Sequence, residues 1–93
     1  MRLHKIQFIW NFGLNNMARE AKNKKEVVSK IAQKVKQLRL DANYTSAESF
    51  AYDKGLNRVQ YWRVESGANV TLNTLLIITD IHQISLSKFF EGI

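Results

Sequence analysis

Between Thr45 and Gly67 the chain reads TSAESFAYDKGLNRVQYWRVESG, and this stretch narrows the possible folds more than any other. It contains two short helical patterns separated by a break of about four residues that includes Gly55. Thr45 and Glu48 stand at capping-box spacing at the start of the first pattern, Phe50 and Ala51 point inward, and Gly55 is its stop. Asn57 is placed to cap the second. Each residue advances about 100° around a helix axis, so Tyr61 and Val64 share one face of this second segment. Arg58, Val59, Trp62, Arg63 and Ser66 share the opposite face, where a solvated surface needs neither the valine nor the tryptophan.

The rest of the chain supports an all-α reading. Proline is absent and glycine occurs four times in 93 residues, so helices are rarely interrupted and turn punctuation is scarce. With 45% hydrophobic residues there is apolar matter for one small core, and a second independent domain does not fit. Cysteine is absent, which removes disulfides and thiolate metal sites and agrees with a reducing, cytoplasmic setting. The net charge of +6 is unevenly placed. Residues 1–63 hold 13 of the 14 Lys and Arg, whereas 64–93 hold only Lys88 against Glu65, Asp80 and Glu91. A clustered positive field favours a polyanionic partner, although a lysine-rich helix face is also an ordinary solvated surface.

Along the chain, residues 1–22 read as an N-terminal arm or extension and 23–93 as the folded domain. The arm has an apolar cluster between basic flanks, but Gln7 and Asn11 interrupt it and no small-residue cleavage site follows, so secretion is not expected. It is far short of the roughly 20 apolar residues of a membrane span, and no membrane partner is expected. Ile6, Ile9, Trp10, Gly13, Leu14 and Met17 fit helical spacing, whereas Ile6, Phe8, Trp10 and Phe12 alternate as in a strand. In an alternative reading Met17 is the initiator and 1–16 are an upstream extension. From Asn23, which has Glu26 three residues on, Val27, Val28, Ile31, Val35 and Leu38 recur at helical intervals to about Ala42. Lys25, Lys30, Lys34 and Lys36 occupy the other face. Two further helices are expected after the opening stretch, one capped by Thr71 and a short one anchored by Phe89 and Phe90, for five in all.

A short helix, a glycine-bearing turn and a second helix form the DNA-reading bihelix. Its requirements are a small residue at the close crossing (Ala51), a turn residue tolerant of positive φ (Gly55), and apolar anchors on both sides (Phe50, Leu56, Tyr61 and Val64). Residues 27–90 resemble the Cro and lambda-repressor type helix-turn-helix family, often called the XRE family. The matching segments are IAQKVKQLR, TSAESFAYDKG, LNRVQYWRVESG with its Glu65 and Gly67, and TLNTLLIITDIHQISLSKFF. The resemblance implies a five-helix, lambda-repressor-like DNA-binding domain from a prokaryotic or phage protein, usually dimeric, most often a transcriptional repressor or an antitoxin subunit.

The family's third helix lies in the major groove of double-stranded DNA, which places Arg58, Val59, Trp62 and Arg63 at base edges. Independently of the family, arginine can donate a bidentate pair to guanine and valine can touch a thymine methyl group. Trp62 alternatively reads as a half-buried structural residue. The resemblance puts Ser46, Asn57, Ser66 and Asn69 at the DNA backbone, although Ser46, Asn57 and Ser66 read equally as plain caps and turn residues. Members commonly carry glutamine at the first turn of the second helix, holding a phosphate and bracing the reading helix, where this chain has Ala47. Lys54 replaces a usual apolar residue and Tyr61 an aliphatic one.

In the fourth helix, Leu72, Leu75, Leu76 and Ile78 are expected in the core with Ile77 and Ile81 on the far side. Ile77 and Ile81 then belong to a homodimer or partner surface, or are covered by the arm through Trp10. His82 reads as a half-buried core histidine. His4 and His82 are the only imidazoles, without metal-ligand spacing, and no phosphate-binding glycine loop or nucleophile-base pair is visible, so no enzyme activity, metal or cofactor is expected. The alternative to a DNA-binding regulator is an antitoxin-type or adaptor protein whose main partner, such as a toxin, is another protein.

Overall fold

The computed structural model describes Ala21 and residues 23–93, and among these described residues five α-helices follow one another. The arm expectations, Trp10 included, lie outside the described residues apart from Ala21. The helices are α1 (Lys24–Asp41), α2 (Ala47–Asp53), α3 (Arg58–Glu65), α4 (Leu72–Ile81) and α5 (Leu86–Phe89), and no strand occurs among the described residues.

Local chemistry explains most of the boundaries. Asn57 Oδ1 accepts from the Gln60 amide at 2.9 Å, Thr71 Oγ1 from Thr74 at 3.2 Å and Ser85 Oγ from Lys88 at 3.0 Å, each satisfying one orphan donor of a first turn. Two expected caps differ. Helix α2 is capped by Ser46, whose Oγ accepts from the Ser49 amide at 3.2 Å, so the start falls one residue after Thr45 and no Thr45–Glu48 capping box forms. Asn23 occupies the cap position of α1 but makes no side-chain capping bond. With φ −101° and ψ 15°, its backbone lies outside the extended conformation found at the other four caps.

Helices α1, α2 and α4 end with one shared device. After α2, Gly55 adopts φ +69°, the Gly55 amide donates to the Tyr52 carbonyl and the Leu56 amide to that of Ala51, at 2.8 Å. A Cβ at Gly55 meets open space, so the backbone angle rather than crowding makes glycine the fitting residue. The same paired bonds close α1 at Asn43 and α4 at Gln83, where φ is +69° and +57° in residues that carry side chains. Four residues, 54–57, separate α2 from α3, in agreement with the sequence spacing.

The core gathers one stripe from each helix: Ile31 and Val35 of α1, Phe50 and Ala51 of α2, Tyr61 and Val64 of α3, Leu75 and Ile78 of α4, and Phe89 of α5. Phe50 stands at its centre, with ring centroids 5.2 Å from Tyr44, 5.2 Å from Tyr61 and 5.3 Å from His82. His82 is half-buried and stacked almost parallel to Phe50, and burial, then the nearby Lys54 charge, lower its pKa from the ordinary histidine value. Lys54, in the slot read as usually apolar, stays exposed with its ammonium 5.8 Å above the Tyr44 ring.

Helix α4 corrects the expected register. Leu72 and Leu76 are exposed rather than buried, and Ile81 is partly buried against the core rather than on the far side. The cause is Thr79, which is buried and donates its hydroxyl to the Leu76 carbonyl at 3.1 Å. A threonine that satisfies itself on its own helix can occupy a core position, and an apolar-only pattern assigns that position to a neighbouring leucine. Ile77 is exposed as expected. No described helix is long and apolar enough to cross a membrane.

Candidate nucleic-acid interface

The orientation of α3 is set from its C-terminal end. A glutamate in the last turn of a helix opposes the helix dipole, so Glu65 gains nothing locally from its position. Its partner is Arg39 of α1, whose Nε and Nη2 reach Glu65 Oε2 and Oε1 at 2.8 and 2.9 Å as a bidentate pair. The two side chains are only 6% and 8% exposed. Arg39 Nη1 also donates to the Tyr44 carbonyl at 2.8 Å, so one guanidinium ties α1, the α1–α2 loop and α3 together. The Glu65 hydrogen bond holds the Arg39 pKa above its ordinary value against the opposing effect of burial. Tyr61 lies beside the pair, and burial first, then Glu65, raises the pKa of its hydroxyl well above the tyrosine range.

With Tyr61 and Val64 packed inward and Glu65 clamped, the other side of α3 faces solvent. Arg58, Val59, Trp62, Arg63 and Ser66 are all exposed, and Trp62 at 62% is an outward residue, which corrects the half-buried alternative. Among the described residues Arg63 has no ion-pair partner. Arg58 does have one: its Nη1 lies 2.6 Å from Glu48 Oε1, in the first turn of α2. A shallow groove of about 290 Å³ runs beside this pair, lined by Ala47, Glu48, Arg58, Val59 and Trp62.

The four residues assigned to a DNA backbone are exposed and are placed at helix ends and in a loop. Ser46 and Asn57 cap α2 and α3, Ser66 follows α3 and donates its hydroxyl to the Arg63 carbonyl at 3.0 Å, and Asn69 lies in the α3–α4 loop. Capping engages the side-chain oxygens and leaves other first-turn amides directed outward, where an anion is favoured.

Three features of this surface were missed in the sequence. Lys25 and Lys36, on the solvated face of α1, line a groove of about 400 Å³ with Ser29, Gln33, Ser66, Gly67 and Glu65, whose charge Arg39 neutralises, and so extend the positive surface past the end of α3. Glu48, a capping residue by its spacing, faces across to Arg58, and nothing in the helical periodicity singles out Arg39. Lys25, Ala32 and Lys36 do share one side of an ideal helix, and that side carries meaning only because the end of α3 packs against it. Of the proposed partner-surface residues, Ile77 is 42% exposed, Ile81 belongs to the core margin and Trp10 lies outside the described residues. Leu72 and Leu76 join Ile77 as exposed large apolar residues of α4. No group of three or more potential metal ligands occurs among the described residues.

Set against known proteins, the chain matches no family model, no curated protein and no solved structure.

Proposed function

We propose that this protein is a sequence-specific double-stranded DNA-binding regulator with a lambda-repressor-like fold, reading the major groove with α3 and acting by occupying an operator. The observation that carries the reading is the exposed face of α3, which sets Val59, Trp62 and Arg63 outward, with Val59 and Trp62 beside the first turn of α2. An α-helix fits the major groove, where arginine recognises guanine and apolar side chains meet thymine methyl groups. The lysines of the α1 groove and the amides at the α2 and α3 starts supply the phosphate contacts that hold register. Repression as a homodimer on half-sites about one helical turn apart is the regulatory form of this proposal.

Selection from a random duplex pool tests it, with an enriched, two-fold-related sequence as the expected result. On that sequence, Arg63→Ala is expected to cost about 1–3 kcal/mol and to relax preference at one position, while leaving affinity for random duplex nearly unchanged. Equal losses on both duplexes in a fluorescence titration remove Arg63 from base recognition.

A protein-binding role is favoured by a separate observation, the exposed Leu72, Leu76 and Ile77. In the DNA-binding reading this surface pairs two copies, and in the second reading it holds an antitoxin's or adaptor's protein partner. Leu76→Lys with Ile77→Lys is expected to convert a dimer to a monomer in sedimentation equilibrium with little change in melting temperature. A wild-type chain that stays monomeric, yet enriches one protein on a column when the double variant does not, supports the second reading.

A further inference from the structure

We propose that Glu48 determines specificity on this surface, by holding Arg58 away from DNA phosphates and reading the cytosine of a G·C pair whose guanine Arg58 contacts. This rests on the DNA-binding reading of α3. The geometry supplies the argument. Three acids stand on α2 and α3. Glu65 is occupied by Arg39, and Asp53 accepts from the Tyr44 hydroxyl at 3.0 Å, so both serve the packing of the domain. Glu48 instead meets Arg58 at 2.6 Å, with the two side chains 70% and 60% exposed, and an ion pair so exposed contributes little to stability.

An anionic side chain on a surface that meets a polyanion has a definite effect. It removes one unit of positive charge where phosphates approach, lowering affinity for any duplex regardless of sequence. It also fixes the guanidinium. Nη1 is engaged, and the remaining donors of the planar fork project from an anchored group rather than a free one. Donor and acceptor therefore stand side by side, and the major-groove edge of a G·C pair presents their complement: acceptors at guanine O6 and N7 and a donor at cytosine N4. Adenine and thymine offer no such division between the two bases. The groove beside the pair, walled by Ala47, Val59 and Trp62, leaves room for the base edges.

The test compares wild type, Glu48→Gln, Arg58→Ala and the double variant on the selected duplex and on random duplex between 50 and 200 mM salt, roughly the range over which phosphate contacts are read from salt dependence. Glu48→Gln is expected to bind random duplex more tightly, with a log-log salt slope steeper by about 0.9, the value for one added phosphate contact. Its specificity ratio is expected to fall about tenfold, within the span of one lost base contact, with preference relaxed at a G·C position. Without Arg58 the same substitution is expected to leave the slope unchanged, which ties the added phosphate contact to the released guanidinium rather than to the charge of Glu48 alone. An unaltered thermal melt shows that each variant is folded. If wild type selects a sequence but Glu48→Gln changes neither ratio nor slope, or changes both duplexes equally, this inference fails and the DNA-binding reading stands. If wild type enriches no sequence, that reading fails and the inference with it.

Discussion

Replacing Glu65 with glutamine is expected to lower the stability of the folded domain by about 3 kcal/mol, the low end of the range for removing one partner of a buried pair. The reason is asymmetry. The glutamine keeps the shape and one acceptor, but Arg39 remains charged, 6% exposed at its side chain and without its anion. The low end applies because Glu65 also borders the groove beside Ser66 and Gly67, through which water relieves part of the penalty. Replacing both members with apolar residues of similar volume, Arg39→Met with Glu65→Leu, is expected to recover most of the loss, since neither charge is then stranded. Urea denaturation of the two variants measures the difference. A loss below about 1 kcal/mol for Glu65→Gln, the size seen for exposed pairs, shows that the clamp does not orient α3.

Phe50→Ala is expected to have a still larger effect, about 3–5 kcal/mol, the range for truncating a buried phenylalanine. Phe50 is fully buried and its ring meets Tyr44, Tyr61 and His82, so the substitution empties the place where α2, α3 and the end of α4 converge. None of these neighbours can readily fill the space, because Tyr61 and His82 are themselves packed into the interior and His82 ends α4. A domain of this size has a total stability near the bottom of the usual span of about 5–15 kcal/mol, so the variant is expected to be largely unfolded at 37 °C. Circular dichroism melting checks this. Phe50→Leu, which keeps most of the volume but loses the ring contacts, is expected to fold with a lowered midpoint, and a midpoint equal to that of the wild type would mean that the aromatic contacts contribute little.

Several roles that depend on one helix alone are legible in the sequence. The inward placement of Phe50, Ala51, Tyr61 and Val64, the turn at Gly55, the caps at Asn57 and Thr71 and the outward direction of Arg58, Val59, Trp62 and Arg63 follow from periodicity and end chemistry within a few residues. The errors share a different origin. In α4, Thr79 was passed over because its hydroxyl reads as polar, and Leu72, Leu76 and Ile81 were then assigned to the wrong sides. At α2, Thr45 and Ser46 are both competent caps, and only the path of the backbone selects Ser46.

By itself, then, the sequence determined the helical class, the positions of the four-residue turn and its flanking helices, and which face of α3 is turned outward, because these depend on bonds and angles repeated every three or four residues. Tertiary structure alone decided that Arg39 clamps Glu65 across 26 positions, that Glu48 holds Arg58 across 10, and that Lys25 and Lys36 meet the end of α3. Charges attract partners in space without leaving a period along the chain, so those pairings become visible only once the helices are packed.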